Sequence, residues 1–127
     1  MHVPLDRILQ RVFELGLSIS MPQPRRLEAF MDITDSLTKA EVMLHGSLWE
    51  ALRLVAYYGQ SMLGEDQLNG HCMVSVKPLG DINPGFVKIN MIWKRVNETA
   101  QRWDGEIRNQ AGKRVARFSV GYWSNHI

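Results

Sequence analysis

The chain has 127 residues, 45% hydrophobic and 22% charged, which suits one globular core and excludes a disordered segment. Fifteen lysines and arginines against thirteen acidic residues leave a net charge of +2, and the basic residues are scattered rather than gathered in a run, which speaks against a nucleic-acid binder. No apolar run approaches the ~20 residues needed to cross a bilayer, and the single cysteine, Cys72, excludes an internal disulfide. The opening "MHVPLDRILQ" lacks the basic flank and apolar block of a signal peptide, so the expected setting is cytoplasmic.

Leu5, Ile8, Leu9, Val12 and Leu15 recur at the interval of one helical face, with Pro4 suited to the first position and Gly16 to the residue just past the end. A short N-terminal helix is expected there. "SISMPQP" then breaks regularity, since its two prolines fit neither a helix interior nor a central strand. From Leu27 the period becomes two: Leu27, Ala29, Met31 and Ile33 share one side, as do Thr38, Ala40, Val42 and Leu44. Thr34-Asp35-Ser36 between them has turn chemistry, so these segments are expected to be two strands joined by a tight reversal.

"HGSLWEALRLVAYYGQSMLG" follows, with Leu48, Leu52, Val55, Gly59 and Met62 in one stripe flanked by Ala51, Ala56 and Tyr58. Glu50, Arg53, Tyr57 and Gln60 make a narrower polar strip, so the spacing predicts a long helix over 47–63 covered on most of its circumference. Four strands are expected after it. "HCMVSVKP" alternates Cys72, Val74 and Val76, which reads Cys72 as a buried structural thiol, and "LGDINPG" is a loop. "FVKINMIWKRV", "AQRWDGEIRN" and "RVARFSVGYW" alternate likewise, the last two joined by the hairpin turn "NQAGKR". One helix faced by a long antiparallel sheet is an α+β arrangement, and residues 1–127 are expected to form a single domain.

A long helix clasped by an antiparallel sheet and entered through His45-Gly46-Ser47 resembles the hotdog fold, over about two-thirds of the chain from His45 to Trp123. Acyl-CoA thioesterases of the phenylacetate-pathway type begin their central helix with His-Gly-Gly and continue through a Pro-Gly loop into a meander, as Pro84-Gly85 does here. The last hairpin, "QAGKRVARF", has a similar flavour. Acyl-carrier-protein dehydratases share the shape, with a helix carboxylate soon after a glycine, much as Glu50 follows Gly46. The resemblance implies a thioester hydrolase acting on acyl-CoA or an acyl carrier protein, as in fatty acid metabolism. It also implies a homodimer, or a tetramer, with the pocket at the interface between copies. A 3-hydroxyacyl thioester dehydratase or hydratase, or a non-catalytic acyl-thioester or small-ligand binding protein, are the alternatives. Two features depart from the thioesterase pattern: the usual Asn-x-x-Gly loop before the histidine is missing, and Leu54 stands where the catalytic Asp is expected.

Thioester hydrolysis needs a polarised carbonyl and an activated water or a carboxylate nucleophile. A helix start offers unpaired N–H groups and partial positive charge to a developing oxyanion, and Gly46 would let a thioester approach them. Glu50, placed in the first turn, is the candidate general base or nucleophile, or else a residue that serves the helix end and pairs with Arg53. His45 is a candidate to position water or substrate. Ser47, Trp49, Tyr57 and Asn83 are candidate substrate contacts, although Ser47 equally suits a helix cap. Tyr57, Tyr58 and Gln60 need hydrogen-bonding partners wherever they are buried. The four histidines show no metal-ligand spacing, no glycine-rich phosphate loop exists, and no cofactor is expected. If coenzyme A binds, Lys88, Lys94 or Arg95 would meet its phosphates.

Overall fold

The computed structural model describes residues 5–33, 46–63, 71–80 and 85–123. They form helix α1 (Leu5–Glu14), strands β1 (Leu17–Gln23) and β2 (Arg26–Ile33), helix α2 (Gly46–Met62), and strands β3 (His71–Pro78), β4 (Gly85–Asn97), β5 (Ala100–Arg108) and β6 (Arg114–Trp123). The strands make one sheet in the order β1-β2-β4-β5-β6-β3, antiparallel at every junction, so β1 and β3 are its edges among the described residues. This is the expected α+β arrangement, with one long helix on one face of a meander.

The core follows from two periodicities meeting. Alternation places Leu27, Ala29 and Met31 of β2, Val87, Ile89 and Met91 of β4, Trp103 and Ile107 of β5, and Phe118 and Val120 of β6 on the face turned to α2. Leu48, Ala51, Leu52, Val55 and Ala56 of α2 close over them, all buried. Each large side chain so removed from water contributes roughly 1.5–3 kcal/mol before entropy is counted. Gly59 lies where the helix is pressed against the sheet: a Cβ there would stand 2.5 Å from the Trp103 ring and 2.6 Å from Leu27. The stripe stops at that point, because Met62, expected to continue it, is 57% exposed.

The strand expected from Leu27 is present as β2, and a strand that was not expected precedes it. Most of the segment 18–24 that was read as irregular belongs to β1, and β2 pairs with it through the two-residue turn Pro24-Arg25. An edge tolerates proline because one row of its N–H groups has no strand to bond, and the register shift between Ser20 and Gln23 absorbs Pro22. Pro24 fits the second position of a turn whose third residue needs positive φ, and Arg25 adopts φ 68° there. Its strain is offset locally: the Arg25 carbonyl accepts from Trp93 N at 2.8 Å, and its guanidinium sits 4.8 Å from the Trp93 ring. The strand expected over 37–44, with its turn at 34–36, lies outside the described residues.

The remaining elements match their expected positions within a residue or two. Gly112 has φ 85° in the β5–β6 hairpin, where its N–H and the Lys113 amide donate to the Asn109 carbonyl and side-chain oxygen. α1 packs Ile8 and Val12 inward and ends before Gly16. Cys72 corrects another expectation. It points to the helix side of the sheet, yet among the described residues β3 has no strand beyond it, and the residue is exposed.

Candidate active site at the start of the long helix

α2 begins at Gly46, so the first-turn N–H groups have no acceptor within the helix and are turned outward at that end. Glu50 is the fifth helical residue and therefore lies just beyond the first turn in which it was expected. Helical side chains lean back toward the N-terminus, which brings its carboxylate over that turn.

Arg11 of α1 holds that carboxylate. Arg11 Nε donates to Glu50 Oε2 at 2.6 Å and Arg11 Nη2 to Oε1 at 2.7 Å, a fork-on-fork pair. A third nitrogen, Nη1, reaches Glu14 at 2.9 Å. The expected partner, Arg53, is not the one used; it is exposed. The hydrogen bonds from Arg11 lower the Glu50 pKa, partial burial opposes them, and the Arg11 charge adds to the lowering. Glu50 is therefore a carboxylate throughout the neutral range. The pair remains 42% and 38% exposed at its two side chains.

Trp49 and Tyr57 are half-buried against the core on either side of Glu50 in sequence. Tyr57 and Arg53 also lie close enough to Tyr122 of β6 to act on its ionisation. Burial pushes the Tyr122 hydroxyl well above the usual tyrosine range, and it shares a hydrogen bond with the Cys72 thiol. Desolvation raises the Cys72 pKa too, against the pull of Tyr122 and Arg53, so an exposed residue still carries a mostly protonated thiol. Leu54 is half-buried and packed on the core. Gly46 and Ser47 are in the first turn of α2, while His45 and Asn83 fall outside the described residues.

Gln60, expected on the polar strip, is instead 2% exposed and carries the partner expected of a buried amide. Its Oε1 accepts from Trp103 Nε1 at 2.9 Å, and its Nε2 donates to Gln101 Oε1 at 3.2 Å. Trp93 Nε1 donates to the same Gln101 oxygen at 3.2 Å. Two residues that matter here, Arg11 and Gln101, went unmarked by sequence reasoning. Gln101 had one available signal: it stands in the inward phase of β5, where an amide must find a partner. Among the described residues no three His, Cys, Asp or Glu side chains come together as a metal site, and no helix is long and apolar enough to cross a membrane.

No protein-family model matches the sequence, and no curated protein is similar enough in sequence to count as a relative. Solved structures do match. The PaaI protein of the Escherichia coli phenylacetic acid degradation operon superposes with a TM-score of 0.77 at 17% identity, over 94% of this chain and 91% of that one. A hypothetical thioesterase from Streptococcus pneumoniae TIGR4, solved with coenzyme A, gives 0.74 at 14% identity, over 94% and 95%. A thioesterase from Haemophilus influenzae gives 0.65 at 20% identity, over 97% and 91%. Identities this low carry architecture rather than chemistry, and the architecture agrees with the six-stranded antiparallel sheet and its one long buried helix: the chain has the hotdog fold that these thioesterases share.

Proposed function

We propose that the protein is a cytoplasmic, single-domain hydrolase of acyl thioesters carried on coenzyme A or an acyl carrier protein, working at a pocket completed by a second copy of the chain. The observation that carries this reading is Glu50, kept ionised by Arg11 just beyond the first turn of α2, in a fold whose solved examples include thioesterases, one of them a hypothetical thioesterase solved with coenzyme A. The edge strand β3 supports the second copy. Along its eight residues it pairs with β6 on one side and, among the described residues, turns the outer row of its N–H and C=O groups to no strand, beside half-buried Val74 and Val76; pairing with an identical edge would cover both.

In this mechanism Glu50 takes a proton from water as the water oxygen attacks the thioester carbonyl. The first-turn amides around Gly46 and Ser47 hold the oxyanion that forms. Collapse of that intermediate breaks the C–S bond, and the proton passes to the departing thiolate. His45 orients the water, while Trp49, Tyr57 and Asn83 contact the acyl group and its carrier. A second reading, a binding protein without turnover, is favoured by Leu54, an apolar side chain packed on the core at the position where the sequence resemblance implies an acid.

A hydrolysis screen across acyl-CoAs of several chain lengths, run on the protein and on Glu50→Ala, tests both. Loss of about 10²–10⁴ in kcat on substitution is the expected result. Turnover that survives Glu50→Ala removes the residue from the chemistry. Acyl-CoA binding without turnover in either protein replaces the hydrolase with the binding module.

A further inference from the structure

The sheet face turned away from α2 carries a groove of about 630 Å³ across β5, β6 and β3. Strand register explains its shape. Asp104, Ser119 and Ser75 lie side by side on neighbouring strands and form a low saddle of short side chains. Two residues along the strands in one direction stand Arg102 and, next to it on β4, Lys94; two residues in the other stand Arg117 and Lys77, with Glu106 beside Arg117 on β5 in the same row. The two cationic banks are thus four residues apart, about 13 Å along the strand, with the saddle between them.

The charge in this groove is unbalanced. Its lining holds four cations, Lys77, Lys94, Arg102 and Arg117, against one carboxylate, Asp104. Asp104 is already engaged, by Arg102 Nε at 2.8 Å and by the Ser119 hydroxyl, which donates to it at 3.0 Å. Nearby Glu106 is held by Arg108 at 3.0 Å and lies 3.8 Å from Arg114. Lys77, Lys94 and Arg117 are exposed and have no carboxylate partner among the described residues. Two copies meeting face to face here would set like charges against each other, so the groove suits an anion better than a second copy.

We infer that this groove is a binding site for a small molecule bearing a diphosphate, separate from the start of α2 and on the opposite side of the sheet. Cations on both banks, with a floor of Ser75, Ser119 and an Asp104 carboxylate already held by Arg102 and Ser119, suit an anion with more than one charged centre, and the volume falls in the range of small-ligand sites. The inference does not depend on thioester chemistry. A diphosphate could come from a free polyphosphate or from a nucleotide-type carrier, and the test separates the two.

Inorganic pyrophosphate is titrated into the full-length protein at low ionic strength, followed by calorimetry and by amide NMR shifts. Shifts centred on Ser75 and Ser119 are expected, with affinity falling as salt rises. The double variant Lys94→Glu/Arg117→Glu should weaken binding at least tenfold, whereas Lys113→Glu, in the β5–β6 hairpin, should leave it within twofold. Displacement of pyrophosphate by coenzyme A identifies a nucleotide-borne diphosphate as the source, and lack of displacement a free anion; either result keeps the site. Absence of pyrophosphate binding overturns the inference, as does equal weakening by Lys113→Glu. So does a groove that ignores pyrophosphate while Lys94→Glu/Arg117→Glu alters the sedimentation of the protein, which would make this face an interface between copies. Poly-glutamate binding in place of pyrophosphate would overturn it in favour of an acidic protein surface.

Discussion

Near its start α2 is tied to α1 by two opposite charges; near its end it is tied to the sheet by uncharged amides and indoles. The Arg11–Glu50 pair keeps about 40% of each side chain in water. The Gln60–Gln101 cluster is almost wholly enclosed, and the indole N–H groups of Trp93 and Trp103 reach amide oxygens within it. The difference matches the cost of burial. Neutral dipoles can be withdrawn from water when each finds a partner, whereas an ion pair withdrawn as deeply would lose more in hydration than it gains. The buried end therefore fixes where the helix sits, and the wet end keeps a carboxylate able to exchange protons.

The buried end should break hardest. Gly59→Ala inserts a methyl 2.5 Å and 2.7 Å from two atoms of the Trp103 ring and 2.6 Å from Leu27, both fully buried. Neither the helix backbone nor the sheet can yield without disturbing the amide cluster one residue along. A loss near the upper end of the usual overpacking range, about 3 kcal/mol, is expected from urea unfolding. A neutral result would show that the ring swings aside freely.

Next comes Gln60→Leu, which keeps volume but strands the Trp103 Nε1 donor in the core. The expected cost is about 2 kcal/mol, for one buried donor without an acceptor. Adding Trp103→Phe, which deletes that donor, should cost less in the Gln60→Leu background than in the wild type. Equal costs in both backgrounds would mean that the amide cluster does not hold the indole.

How far these two ends were legible differs for a physical reason. β3 through β6 and the span of α2 follow from alternation, helical spacing and turn residues, all of which are local. β1 was hidden by Pro22 and Pro24, although Leu17, Ile19 and Met21 alternate, because the tolerance of an edge for proline depends on which strand becomes an edge. At the site, Glu50 was visible as a carboxylate near a helix start, but its partner was sought at Arg53, three residues on. The true partner lies 39 residues away in sequence on a helix that packs against α2. Gln60 shows the same limit. Helical spacing put it on the polar strip, and only the sheet, by placing Trp103 and Gln101 opposite, turned that position inward.

The wet end should yield the smallest change in stability and the clearest dependence on pH. Arg11→Met keeps most of the apolar stem and removes the guanidinium, so Glu50 loses the hydrogen bonds that lower its pKa. A carboxylate with a lowered pKa in the folded state stabilises fully above the ordinary glutamate range and loses that contribution as pH falls through the lowered value. Wild type and Arg11→Met should therefore differ modestly in urea midpoint at neutral pH and converge below the ordinary glutamate range, the gap also narrowing in high salt because both groups are half in water. If Glu50 is the base of the proposed hydrolysis, the acid limb of kcat in Arg11→Met moves up toward ordinary glutamate values. A midpoint difference that persists unchanged into acid would assign the contribution of Arg11 to the packing of its stem, and an acid limb that does not move would separate Glu50 from the proton transfer.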